Sequence, residues 1–182
     1  MTPSQPVPTQ LSKLKIFEIA EDVALRLNFE SGDAMEPLVV GLGGRIEYKT
    51  SDELSGRLPE SIIIRSVNDF TIFLPSITST MRDRFTIAHE LGHLFLHYPL
   101  VSRGRSDITM IATRWVDERN PDLIRTEWEA NWFAAAFIMP SKQFKDALIA
   151  NRYSVARVAE IFGVSPKAAE IRSRSLGVAT YA

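Results

Sequence analysis

The chain contains three histidines, and all of them fall within His89-Glu90-Leu91-Gly92-His93-Leu94-Phe95-Leu96-His97. On a helix His89 and His93 lie one turn apart on the same face, where two imidazoles can take two corners of a zinc tetrahedron at roughly 2.0–2.1 Å each. Glu90, one residue further round, borders that site without ligating, which is where a carboxylate would take a proton from an attacking water. The short pattern also arises in helices whose histidines are ordinary surface or core residues. Here Phe85, Ile87, Ala88, Leu91, Leu94 and Phe95 make the helix apolar. Polar groups drawn toward a core need a partner, and a metal ion supplies one. On a straight helix His97 would lie about 12 Å along the axis from His89 and about 80° round from it, too far to complete the same tetrahedron. It is read instead as contacting the helix C-terminus or shaping the cleft wall.

A catalytic zinc takes three protein ligands and keeps one position open. With no cysteine and no further histidine in the chain, the third ligand must be Asp or Glu. The segment Glu127-Trp128-Glu129-Ala130-Asn131-Trp132-Phe133 offers two carboxylates. These point about 200° apart on a helix, so only one of them can face the histidines. Glu127 is preferred on pattern, with Glu129 as the alternative. Asn131 stands one turn after Glu127, where its side-chain oxygen could accept the outer N–H of a ligating histidine. Two histidines and a carboxylate also describe a non-haem iron site, but a base beside the first ligand favours hydrolysis over oxygenation.

Together these segments resemble the ImmA/IrrE family of metallo-endopeptidases. The resemblance rests on Arg84-Phe85-Thr86-Ile87-Ala88-His89-Glu90-Leu91-Gly92-His93, on Glu127 with Ala130-Asn131 and Phe133-Ala134, and on Met139-Pro140. It implies His89, His93 and Glu127 as Zn2+ ligands and Glu90 as the base, and it selects Glu127 over Glu129. It also implies an intracellular, cytoplasmic enzyme whose substrate is a regulatory protein, typically a helix-turn-helix repressor. With about ten residues ahead of its first predicted helix, the chain is expected to act on a separate repressor rather than on a fused one.

The elements that must position these residues follow from periodicity. Leu11 to Phe29 reads as an amphipathic helix, Pro37 to Leu42 as a short one ended by Gly43-Gly44, and Arg45 to Lys49 as a strand. Ser61 to Val67 and Phe70 to Leu74 read as a hairpin about Asn68-Asp69, whose Phe70–Leu74 edge would take an extended substrate. Thr80 is the expected cap of the histidine helix, running from about Met81 to Tyr98. A connection of roughly twenty residues without predicted structure then leads to helices from Pro121 to Met139 and from Ser141 to Ala150. The expected fold is α+β and zincin-like, a small antiparallel or mixed sheet packed on the active-site helix. Its parts are a frayed, disordered arm over 1–10, a metallopeptidase domain over 11–150 and a helical, helix-turn-helix-like segment over 151–182. Tyr98, His97 and nearby arginines are candidates to stabilise an oxyanion, and Arg84 reads as a salt-bridged helix residue.

Composition narrows the class further. At 182 residues with 45% hydrophobic and 24% charged side chains, the chain can bury one core. Its net charge of −1 gives no global field toward nucleic acid or an anionic membrane. The densest apolar run, Trp132 to Met139, is far shorter than the roughly 20 residues a spanning helix needs. Ser154 to Ala169 nevertheless has helix-turn-helix spacing, with Gly163 at the turn and Arg172 and Arg174 beyond. An alternative function is therefore DNA binding or an adaptor role through 151–182, with a structural metal; packing of Ile161, Phe162, Ile171 and Leu176 is the favoured reading of that segment.

Overall fold

The computed structural model describes residues 3–50, 60–105 and 107–178. Helix α1 (Lys13–Arg26) starts where the Ser12 hydroxyl accepts the Lys15 N–H, and it buries Ile16, Phe17, Ala20 and Ala24, one face at helical spacing. Helix α2 (Met35–Gly41) stops at Leu42, and Gly43 turns the chain into β1 (Gly44–Lys49) with φ +85°. A Cβ on Gly43 would stand 2.2 Å from the Asn68 carbonyl oxygen, so only glycine fits this approach. Strands β2 (Glu60–Ser66) and β3 (Asp69–Pro75) form the predicted hairpin, turning at Val67-Asn68, one residue earlier than expected.

The sheet is mixed, in the order β1-β3-β2-β4. Strand β3 runs parallel to β1 and antiparallel to β2, with Ile72 opposite both Ile46 and Ile62. Lying between β1 and β2, β3 is an inner strand, so the expected substrate edge at Phe70–Leu74 is corrected. The fourth strand, β4 (Met110–Thr113), lies inside the connection read as structureless and pairs with β2. Its four residues were too few to stand out from the loop composition around them, and pairing with Ile62 to Ile64 is what holds them extended.

The histidine helix begins one residue earlier than predicted, with Ser79 capping α3 (Thr80–Gly92) by accepting the Arg82 N–H. It continues through a π-helical turn over His93–His97 into the short α4 (Tyr98–Val101). Helix α5 (Pro121–Ile138), capped by the Asn120 side chain, packs against α1 and α3. Phe29, Phe137, Phe133 and Phe95 form a chain of stacked rings, with centroids 4.7, 5.7 and 6.0 Å apart.

Helices α6 (Ser141–Ala150), α7 (Val155–Phe162) and α8 (Pro166–Ser175) complete the fold. Val158, Phe162, Val164 and Ala169 belong to the common core, whereas Ile161 and Ile171 are exposed, against expectation. Arg172, the first of the two arginines beyond the turn at Gly163, is 1% exposed. It donates to the Met139 carbonyl, Ser141 and Glu21 and lies over the Phe17 ring. Arg84 likewise is buried, donating to the Asp33 carbonyl over the Phe29 ring.

Residues 4–10 of the N-terminal arm are tied to the fold at both ends. Ser4 makes a parallel bridge to Met110, and the Thr9 and Gln10 amides both donate to Glu129. Among the described residues no helix is long and apolar enough to cross a membrane.

Candidate metal centre

Two helices build the site. His89 and His93 project from α3 and the turn that follows it, and Glu127 projects from α5, close to where Gly92 lets α5 approach. The two Nε2 atoms are 3.2 Å apart; Glu127 Oε2 is 3.2 Å from His89 Nε2 and its Oε1 is 3.3 Å from His93 Nε2. Ligand atoms held at 2.0–2.1 Å by a tetrahedral ion are about 3.3 Å from one another. The donor set therefore fits a small divalent cation without rearrangement, and these three residues group as a possible metal site among the described residues.

The electrostatics of the three side chains favour one proton, on His89. Burial opposes the His89 cation, but its hydrogen bond to Glu127 and the charges of Glu90 and Glu127 outweigh it and push its pKa up to about 9. Burial dominates for His93, whose pKa falls to about 4. Burial also opposes the Glu127 carboxylate, yet the His89 N–H that it accepts and the imidazole of His93 beside it hold it ionised, well below the usual range.

Glu90 stands beside this triad, 3% exposed, with the Ser61 hydroxyl of β2 donating to Oε2 at 3.0 Å. Burial and the Glu127 charge, partly offset by His89, push its pKa up to about 7. Asn131 Oδ1 lies 3.0 Å from His89 Nδ1, the contact expected from the sequence. A cleft of about 260 Å³ opens over these groups, lined also by Phe85, Thr86, Thr113 and Arg114.

The structure separates the other candidates. Tyr98 donates to the Arg65 carbonyl and is 5% exposed. His97 is fully buried behind His93; it does not line the cleft, and its side chain makes no capping hydrogen bond at a helix end. Glu129 faces His97 rather than the donor set. Arg114 is the cation that reaches the cleft; one arm donates to the Phe73 carbonyl, while its buried Nε has no partner among the described residues. Sequence reasoning named no individual arginine here, because Arg114 depends on β4. Ser61 was missed for a similar reason, since only hairpin packing against α3 sets it beside Glu90.

A family model described as the IrrE N-terminal-like domain, a peptidase family, matches residues 65–174. Among solved structures, the chain is similar to a Mycobacterium tuberculosis transcriptional regulator at 18% identity and a TM-score of 0.54, covering 87% of this chain and 46% of that one. That likeness shows a shared fold, and the chain spans less than half the length of the regulator. No curated protein matches the sequence.

Proposed function

Because this chain belongs to the ImmA/IrrE family of metallopeptidases, we propose that it is a zinc-dependent endopeptidase of the cytoplasm, and that it cleaves a regulatory protein of the helix-turn-helix repressor class. One observation carries the reading: two imidazole nitrogens and a carboxylate converge at 3.2–3.3 Å, with a raised-pKa glutamate beside them in an open cleft. His89, His93 and Glu127 would hold the ion. When bound, zinc supplies Lewis acidity for the scissile carbonyl and lowers the pKa of a water.

Glu90 accepts a proton from the attacking water and returns it to the leaving amine. A carboxylate poised near neutrality suits both transfers, because neither protonation state is far from the working pH. Ser61 orients Glu90 by donating to the one oxygen and leaving the other for water. Arg114, lining the same cleft, brings positive charge to the oxygen of the scissile carbonyl as it becomes anionic. The extended substrate adds beside β4. Ser4 covers that strand's Met110 end, its N–H on the Thr109 carbonyl and its carbonyl on the Ile111 N–H, whereas the Thr113 end meets the cleft.

The test is co-expression with a helix-turn-helix repressor, taken from beside the gene where one is encoded there, followed by analysis for cleavage fragments, with Glu90→Gln as control. Fragments are expected with the wild type alone. Fragments that persist in Glu90→Gln would overturn the mechanism.

A further inference from the structure

His93 is held from behind by a second buried histidine. Its Nδ1 lies 3.0 Å from His97 Nδ1, and His97 Nε2 lies 3.1 Å from Glu129 Oε2. All three side chains are fully buried. The π-helical turn over His93–His97 accompanies this pairing; the Tyr98 N–H reaches back five residues to the His93 carbonyl.

The direction of the chain of hydrogen bonds is set from the Glu129 end. Its Oε2 faces the Thr9 N–H at 2.8 Å as well as His97, and its Oε1 takes the Gln10 N–H at 3.0 Å and Arg125 Nε at 2.9 Å. A carboxylate so surrounded by donors acts as an acceptor only, so His97 must carry its proton on Nε2. Arg125 already balances the Glu129 charge and His97 is fully buried, so His97 is neutral and presents a bare Nδ1, and the partner that fits it is an Nδ1–H on His93. That leaves His93 Nε2 unprotonated, with its lone pair directed toward His89 and Glu127.

We propose that Glu129, acting through His97 and locked by the Thr9 and Gln10 amides of the N-terminal arm, is a positioning residue that presets His93 in the Nδ1-protonated tautomer required of a metal ligand. The proposal rests on the metal-centre reading above. The selection precedes metal binding, because every group that imposes it belongs to the protein. Outer partners of this kind commonly change metal affinity by about 10–100-fold.

The first test needs no substitution. In the metal-stripped, 15N-labelled full chain at neutral pH, long-range proton–nitrogen correlations should show His93 protonated on Nδ1 and His97 on Nε2. A His93 protonated on Nε2 overturns the proposal. The second test compares zinc affinity by chelator competition in His97→Phe, which can neither accept nor donate, and His97→Gln, whose amide can do both. His97→Phe should bind zinc about 10–100-fold more weakly, and His97→Gln should recover to within about threefold of wild type. Wild-type affinity in His97→Phe, or His97→Gln as weak as His97→Phe, leaves only a shape-filling role and overturns the proposal. If wild type binds zinc and the variants match it, this inference alone falls; a wild type that binds no zinc removes the metal centre and this inference with it.

Discussion

Gly92 approaches Ala130 so closely that a Cβ built on Gly92 would stand 3.0 Å from the Ala130 Cα and 3.2 Å from its carbonyl oxygen. This contact sets the separation of α3 from α5, and with it the distance from the histidine pair to Glu127. The third neighbour, Phe133 Cβ at 3.3 Å, belongs to the stacked aromatic core and has little room to retreat. Gly92→Ala should destabilise the fold by about 1–3 kcal/mol through overpacking. It should also weaken zinc binding, because α5 carries Glu127 away as it yields. Thermal melting and chelator competition on one preparation check both effects; unchanged zinc affinity would show that the helix separation does not control the donor set.

The role proposed for Glu90 is proton transfer and not membership of the donor set. Glu90→Gln keeps its shape and its contact with Ser61, so zinc content should stay at the wild-type level while the turnover rate falls by about 10²–10⁴-fold. Metal analysis beside a cleavage assay separates the two, and loss of zinc from Glu90→Gln would place this residue in the metal site itself.

Zinc affinity should depend on pH with a defined sign. In the metal-free site His89 keeps its proton up to about pH 9, and a ligand must give that proton up. Apparent affinity should therefore fall by about tenfold for each pH unit below 9, with release of one proton per zinc near pH 7. Calorimetry in buffers of different ionisation enthalpy measures that proton, and zinc binding without proton release would contradict the protonated His89.

Glu127→Ala should abolish stoichiometric zinc binding, whereas Asn131→Ala should weaken it by about 10–100-fold, since Asn131 holds only the outer nitrogen of His89. Equal losses in the two variants would refute this division between ligand and support.

Arg172 fastens the last helix to the rest of the fold. Arg172→Met keeps much of the volume over Phe17 but removes the donor to the Met139 carbonyl and the charge partner of Glu21, which keeps only its Ser141 donors, and it should cost about 3 kcal/mol. Chemical denaturation measures the loss. Because this guanidinium is buried, a DNA-binding role for residues 151–178 would have to rest on other cations, and wild type should show no salt-sensitive affinity for duplex DNA.

Much of the site was legible in one dimension because its key relations are local. His89, Glu90 and His93 are neighbours on one helix, and helical pitch alone makes that an incipient metal site. The absence of cysteine and of further histidines made the third ligand a carboxylate by elimination, and the four-residue step from Glu127 to Asn131 placed both on one face. Other features depend on contacts between distant segments. His97 and Glu129 are 32 residues apart in sequence, and the arm reaches Glu129 across 120. The π-helical turn that sets His97 behind His93 leaves no trace in apolar periodicity, and β4 is extended only because β2 offers it hydrogen bonds. Pitch and residue chemistry thus determined which groups are available. The close crossing at Gly92 and Ala130, the added strand and the buried donors around Glu129 decided which of them meet, since those pairings depend on packing in three dimensions.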